Sequence, residues 1–181
     1  MRRLLIVLAV LAVAGCGGDD DVAGGAADLP RPVPAGVGFV ETPTSAPAAP
    51  DFAAKLVDGT PVTASELWRD RPLVLVFTAS YCEHCAEIHR AAAEAVDAQD
   101  GAIGLLGVVG EDDLEGGREY ADKLDLGHPV AVAGERTWLD YAAREPGLVV
   151  LVSRDGKVLR GWPGGATTGQ LQSRLEELVA E

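Results

Sequence analysis

Three runs without a single charged side chain, Leu73-Val74-Leu75-Val76-Phe77, Ile103 to Val109 and Leu148 to Val152, constrain this 181-residue chain more than any other feature. A strand with one wet face alternates apolar and polar residues, and none of these runs alternates. Each therefore reads as a strand buried on both faces, which requires helices above and below the sheet. The segments between them supply those helices. Cys85, Ile88, Ala92 and Ala95-Val96 recur at helical spacing within a predicted helix over 82–99. Leu114 to Leu124 reads as a second helix, weakened by Gly116-Gly117, and Thr137 to Ala143 as a third. Thr167/Thr168 caps a last amphipathic helix carrying Leu171, Leu175 and Leu178. Shorter pieces complete the pattern: a strand over Phe52 to Val57 with an Asp58-Gly59 turn, one helical turn from Thr63 to Trp68, and a short strand at Val130-Ala131-Val132. Leu148 to Val152 and Val158 to Trp162 pair as a hairpin around Asp155-Gly156. Alternating buried strands and helices predict an α/β sandwich with parallel strands at its centre.

Composition narrows what such a domain can do. The chain is 48% apolar and 24% charged, an ordinary globular balance. Lys plus Arg number 15 against 28 Asp plus Glu, a net charge of −13 that opposes nucleic-acid binding. No glycine spacing matches a phosphate-binding or dinucleotide loop. The N-terminus reads as an address. Met1-Arg2-Arg3 is followed by an apolar run from Leu4 to Ala14, which as a helix would rise about 16 Å, roughly half a bilayer core. An export signal fits better than a membrane span. Val13-Ala14-Gly15-Cys16 resembles the bacterial lipoprotein signal, which implies a signal peptide over 1–15 and a lipidated Cys16 whose sulfur does no redox chemistry. Residues 16–50 read as a tether, because 19 of the 34 residues after Cys16 are Gly, Ala or Pro. Part of Val33 to Val40 could instead dock as an edge strand. The folded domain is expected over 51–181.

Chemistry is concentrated in Cys82-Glu83-His84-Cys85, directly after the first buried strand and at the start of a predicted helix. Unpaired N–H groups at a helix start stabilise thiolate, so Cys82 is the expected attacking sulfur. Cys85, one turn further in, is expected to be more buried and to resolve the mixed disulfide. A metal module is the rival: Cys82, Cys85 and His89, with His84 or His128 as a fourth ligand, could hold copper. Apart from that role, His89 reads as a partly exposed helix residue and His128 as a loop residue. A peroxidase reading fits worse, since Ala79 stands three residues before Cys82 where peroxide-reducing relatives carry Thr or Ser. Glu111-Asp112-Asp113 reads as a solvated turn.

Residues 51–181 resemble the TlpA/ResA-like redoxins, membrane-tethered proteins of thioredoxin fold. The resemblance rests on an ordered set: Pro50-Asp51-Phe52, Asp58-Gly59, Pro72 to Phe77, Cys82 to Cys85, Val108-Val109-Gly110, His128-Pro129-Val130, Pro146 and Asp155-Gly156. It implies a three-layer sandwich around a central mixed sheet, and thiol-disulfide oxidoreductase activity with no cofactor beyond the two sulfurs. It also implies an extracytoplasmic place at the cell membrane. Partners would be cysteine-containing envelope proteins, apocytochromes awaiting haem among them, and a membrane redox protein. By the same resemblance Pro146 matches a cis-proline facing the dithiol, leaving the backbone of Glu145 to pair with substrate. Tyr81 replaces the usual Trp, and Glu83-His84 stand where x-Pro is common; His84 would favour and Glu83 oppose the Cys82 thiolate. Val76 stands where relatives often carry a buried acid, which leaves Glu87, Glu145 or water to accept the Cys85 proton.

Overall fold

The computed structural model describes residues 22–110 and 113–180. A seven-stranded mixed sheet forms its middle layer. Its strands are β2 (Ala53–Leu56), β3 (Pro61–Thr63), β4 (Leu73–Thr78), β5 (Gly104–Val109), β6 (Val130–Val132), β7 (Leu148–Val152) and β8 (Val158–Trp162), in the order β3-β2-β6-β5-β4-β7-β8. β4 and β6 lie parallel to β5, whereas β7, β8, β2 and β3 join antiparallel. Every residue of β4, β5 and β7 is buried, as the three apolar runs require.

Alternation along β4 divides the core. Leu73, Leu75 and Phe77 face one layer with Trp68, Trp138 and Tyr141, carried by α1 (Ala64–Trp68) and the region of α4 (Glu135–Asp140). Val74 and Val76 face the other, with Ile88, Ala92, Ala95 and Val96 of α2 (Cys85–Asp97) and Leu171 and Leu175 of α5 (Thr168–Glu176). α3 (Leu114–Leu124) covers the same side nearer β6, where Gly117 lets the helix sit close on Val132. Asp113, read as part of a solvated turn, is the N-cap of α3 and accepts a hydrogen bond from Gly116 N–H at 2.9 Å. Thr167 and Gln170 form a reciprocal capping box at α5.

Some boundaries differ from the sequence reading. α4 spans Glu135–Asp140 instead of Thr137 to Ala143, because Ala142 takes a left-handed φ of 53° and turns the chain out of the helix. Thr63 occupies the N-cap of α1 without a side-chain bond; Asp51 accepts from the Ser65 N–H and hydroxyl in its place. The largest correction concerns the expected tether. The signal peptide and Cys16 lie outside the described residues, but residues 22–50 run along the domain and are held at several points. Gly24 C=O accepts from Val130 N–H, Asp58 accepts from Ala26 N–H, and the buried Arg71 guanidinium donates to the carbonyls of Arg31 and Gly101. β1 (Gly38–Phe39) pairs antiparallel with β9 (Val179–Ala180) in a separate two-stranded sheet, and Ala48 bridges to Lys157. Small and proline-rich residues left the backbone free to make these bonds, which composition does not reveal. No helix among the described residues is long and apolar enough to cross a membrane.

Gly110, at the end of β5, provides the sharpest packing constraint. A Cβ there would lie 2.2 Å from Nε1 of Trp138, whose ring meets Phe77 edge-on at 5.8 Å. Gly110→Ala is expected to displace Trp138 and destabilise the domain by about 2 kcal/mol or more, read as a lower urea midpoint with an unchanged slope.

Candidate active site

The dithiol sits where β4 ends. Thr78 closes the strand, Cys82 N–H bonds to Ala79 C=O at 3.0 Å, and α2 begins at Cys85 with His84 as its N-cap. The helix thus starts three residues later than the predicted first turn at Cys82, because the residues after β4 are used in a tight turn. The two sulfurs are joined as a disulfide, which holds Cys82 over the first turn of α2, where helical N–H groups lack intrahelical partners. The expected asymmetry is present: Cys82 is half-buried and Cys85 has 0% exposure. Cys85 packs in a cluster with Val57, Val109, Tyr120, Ala121, Leu126 and Val130. Tyr81 (63% exposed), Glu83 and His84 face solvent around Cys82, a surface suited to meeting another protein.

The loop before β7 reaches the same end of the sheet. Gly147 N–H bonds to Phe77 C=O at 2.7 Å, and a Cβ at Gly147 would meet Ile88, one turn into α2, at 3.0 Å. This places Glu145 and Pro146 beside the dithiol region, with Glu145 exposed and Pro146 half-buried. The Glu145–Pro146 bond is trans, however, since no described peptide bond is cis. The reversal into β7 is made by Gly147 at φ 100°, a conformation open to glycine.

The histidines differ most from expectation. His89 is 1% exposed and His128 is 7% exposed, where a partly exposed helix residue and a plain loop residue were expected. His89 Nδ1 lies 2.9 Å from His128 Nε2, and His89 Nε2 lies 3.3 Å from the Thr78 hydroxyl. Gly107 of β5 makes the room, for a Cβ there would lie 3.1 Å from His89 Cε1. The signal was present in the sequence: His89 falls four residues after Cys85 and three before Ala92, on the apolar stripe, opposite a run that contains a glycine. Nothing among the described residues supports the metal reading. Both nitrogens of His89 have partners in His128 and the Thr78 hydroxyl, and among the described residues no cluster of three or more His, Cys, Asp or Glu could hold an ion. Burial lowers the His89 pKa to about 3, helped by the neighbouring His128, and burial lowers that of His128 to about 4. Both imidazoles are neutral at physiological pH.

The AhpC/TSA family matches residues 46–157, which span both cysteines and most of the sheet. This chain belongs to the AhpC/TSA family. No curated protein matches the sequence. Among solved structures, a Bacteroides thetaiotaomicron protein named as a disulfide isomerase superimposes with TM-score 0.63 at 25% identity, covering 78% of this chain and 94% of its own. The thioredoxin domain of a thiol-disulfide oxidoreductase from Bacteroides vulgatus matches at TM-score 0.65 and 13% identity, over 75% and 98% of the two chains. A secreted Mycobacterium tuberculosis disulfide oxidoreductase, homologous to Escherichia coli DsbE, matches at TM-score 0.58 and 18% identity, over 69% and 94%. The chain is thus an AhpC/TSA protein of thioredoxin-like fold with Cys82 and Cys85 bonded at the end of its central strand.

The buried imidazoles set a pH dependence. Their folded pKa values lie below the ordinary 6.5, so the unfolded chain binds more protons below that pH and acid favours unfolding. Stability is expected to be intact above pH 6.5 and to fall as the pH drops from there towards 4 and 3. Between pH 7 and 4.5 the two groups together should cost about 5 kcal/mol, read by urea unfolding. A flat profile over that interval would show that the pair is not held neutral.

Proposed function

We propose that this redoxin works at the outer face of the cell membrane, anchored through a lipidated Cys16, and reduces or exchanges disulfides in cysteine-containing envelope proteins. Apocytochromes awaiting haem are among the substrates, and a membrane redox protein returns the dithiol to its reduced form. The observation that carries this reading is the unequal burial of two bonded sulfurs at one strand end, with Cys82 reachable and Cys85 enclosed. Such a pair does not need a metal or organic cofactor. A partner's disulfide is attacked by Cys82, and the resulting mixed disulfide is attacked by Cys85, which regenerates the internal bond and releases the partner's thiol. The exposed Tyr81, Glu83 and His84, with Glu145 and Pro146 across from Ile88, form the face that a substrate segment would meet. Ala79 offers no hydroxyl beside Cys82, which supports protein disulfides as substrates over peroxide. The location is supported by the charged start, apolar run and small residues before Cys16, and by a secreted protein among the structural neighbours.

Two measurements test the reading. The reduction potential of the dithiol should lie near that of thioredoxin, about −270 mV; a value near about −120 mV would make the protein an oxidant instead. Cys85→Ser should accumulate mixed disulfides with envelope proteins in cells, whereas Cys82→Ser should abolish exchange and capture none. For the anchor, Cys16→Ala should shift the protein from the membrane to the soluble fraction, and an unchanged distribution would contradict lipidation.

A further inference from the structure

Residues 22–50 first meet the domain beside the dithiol. Val22 packs on the cluster of Val57, Val109, Tyr120 and Val130 that encloses Cys85, and Cys82 borders the same cluster. Gly24 is seated on it too, since a Cβ there would stand 3.0 Å from Val130 and 3.2 Å from Ala121. Its C=O accepts from Val130 N–H at 2.8 Å. Val130 pairs with Gly107 of β5, and Gly107 pairs with Val76 of β4, two residues short of that strand's end. Two residues of rise and two strand spacings therefore put this docking point about 12 Å from the strand end that leads into Cys82.

From there to residue 50 the segment is fastened along its length. Asp58 accepts from Ala26 N–H at 2.7 Å, Arg71 donates to Arg31 C=O, and Val40 N–H bonds to Leu178 C=O at 2.9 Å. Thr42 donates to Asp155 at 2.7 Å, and Pro47 C=O accepts from Val158 N–H at 2.9 Å. Its apolar side chains reach all three core clusters: Val22 packs on one, Val37 and Phe39 on a second, and Ala26, Leu29 and Ala49 on the third. Only residues 17–21 separate Val22 from Cys16. Six residue steps span at most about 22 Å, whatever path the backbone takes. Were all of 17–50 a free coil, Asp51 could stand about 120 Å from Cys16.

We propose that the docked strap confines the dithiol to a layer within about 35 Å of the lipid, and so fits it to a partner held in the same membrane whose reactive cysteines stand in that layer. The inference rests on the proposed lipidation of Cys16 and on the exchange chemistry of Cys82 and Cys85. Because the docking point and the dithiol are neighbours, rotation of the domain adds little to the reach. The lipid surface itself does not hold the domain, since 28 acidic residues against 15 basic ones oppose adsorption to anionic headgroups. Anchor and strap together therefore set the height. Two proteins kept in one thin layer meet at a raised effective concentration without any added contact, and a target beyond the span of the chain is not engaged at all. The strap thus selects partners by height, which a coil of the same length could not do.

The test uses the full lipid-modified chain, reduced and reconstituted in phosphatidylcholine vesicles. Half of the vesicles carry a polyethylene glycol brush slightly taller than the docked reach of about 35 Å. A peptide disulfide is offered either free in solution or coupled to beads too wide to enter the brush. Each turnover closes the Cys82–Cys85 bond and leaves the peptide as two thiols, and mass spectrometry follows both. With the free peptide, the wild-type protein should react equally fast with and without the brush. With the beads, the brush should slow it at least about tenfold. An insertion of about eighty Gly and Ser residues between Gly18 and Asp19 should restore bead exchange across the brush. Equal bead exchange by the wild type and the insertion variant across the brush would show that the strap lets go, and would overturn the inference. Protein that fails to float with the vesicles would overturn the anchor, and protein inert towards the free peptide would overturn the exchange chemistry, so each failure is told apart from release of the strap.

Discussion

β4 has no face turned to water, and the molecule is arranged around that fact. Its six residues are buried, with β5 on one side, β7 on the other and helices above and below. A segment so enclosed can move very little, so whatever leaves its end is delivered to a fixed point. Two things meet there: the chain running on into Cys82 and α2, and the loop whose Gly147 bonds to the Phe77 carbonyl. Registers of β4 with β5 and β7 thus decide where the dithiol and the Glu145–Pro146 loop stand relative to one another.

The chemistry follows from a gradient of burial across a few residues. Tyr81, Glu83 and His84 are exposed, Cys82 is half-buried, and Cys85 is enclosed. Nucleophilic attack on another protein's sulfur needs access, and resolution needs shelter from competing thiols and a defined geometry. One turn of backbone between the sulfurs provides both. Beneath them the polar line of Thr78, His89 and His128 enters a layer that is otherwise Val, Ile, Leu and Ala, at the cost of desolvating two imidazoles. Mutual hydrogen bonding offsets much of that cost, and neutrality removes the rest.

Periodicity reports burial, and burial was where the sequence was most legible. β4, β5, β7, β8 and α3 fall within a residue of their predicted spans because their side chains follow one face or two without ambiguity, whereas α5 stops at Glu176, short of the Leu178 expected on it. Ends were harder: the start of α2 and both ends of α4 depend on turns whose φ angles are set by neighbours. Residues 22–50 misled for a different reason. Gly, Ala and Pro signal weak local preference, and weak preference is equally compatible with a coil and with a strap fastened by the backbone bonds of Gly24, Ala26 and Arg31.

By itself, the sequence determined that this chain builds a doubly covered sheet and places two sulfurs one turn apart at the end of its central strand. Both conclusions rest on local order: unbroken apolar runs and a fixed spacing carry their meaning along the chain. Only the tertiary structure decided that His89 meets His128 and Thr78, that the Glu145–Pro146 peptide is trans, and that the expected tether lies on the domain. Those outcomes join residues 11 and 39 apart, or many more, and no local pattern encodes which distant partner a buried nitrogen or a backbone carbonyl will find.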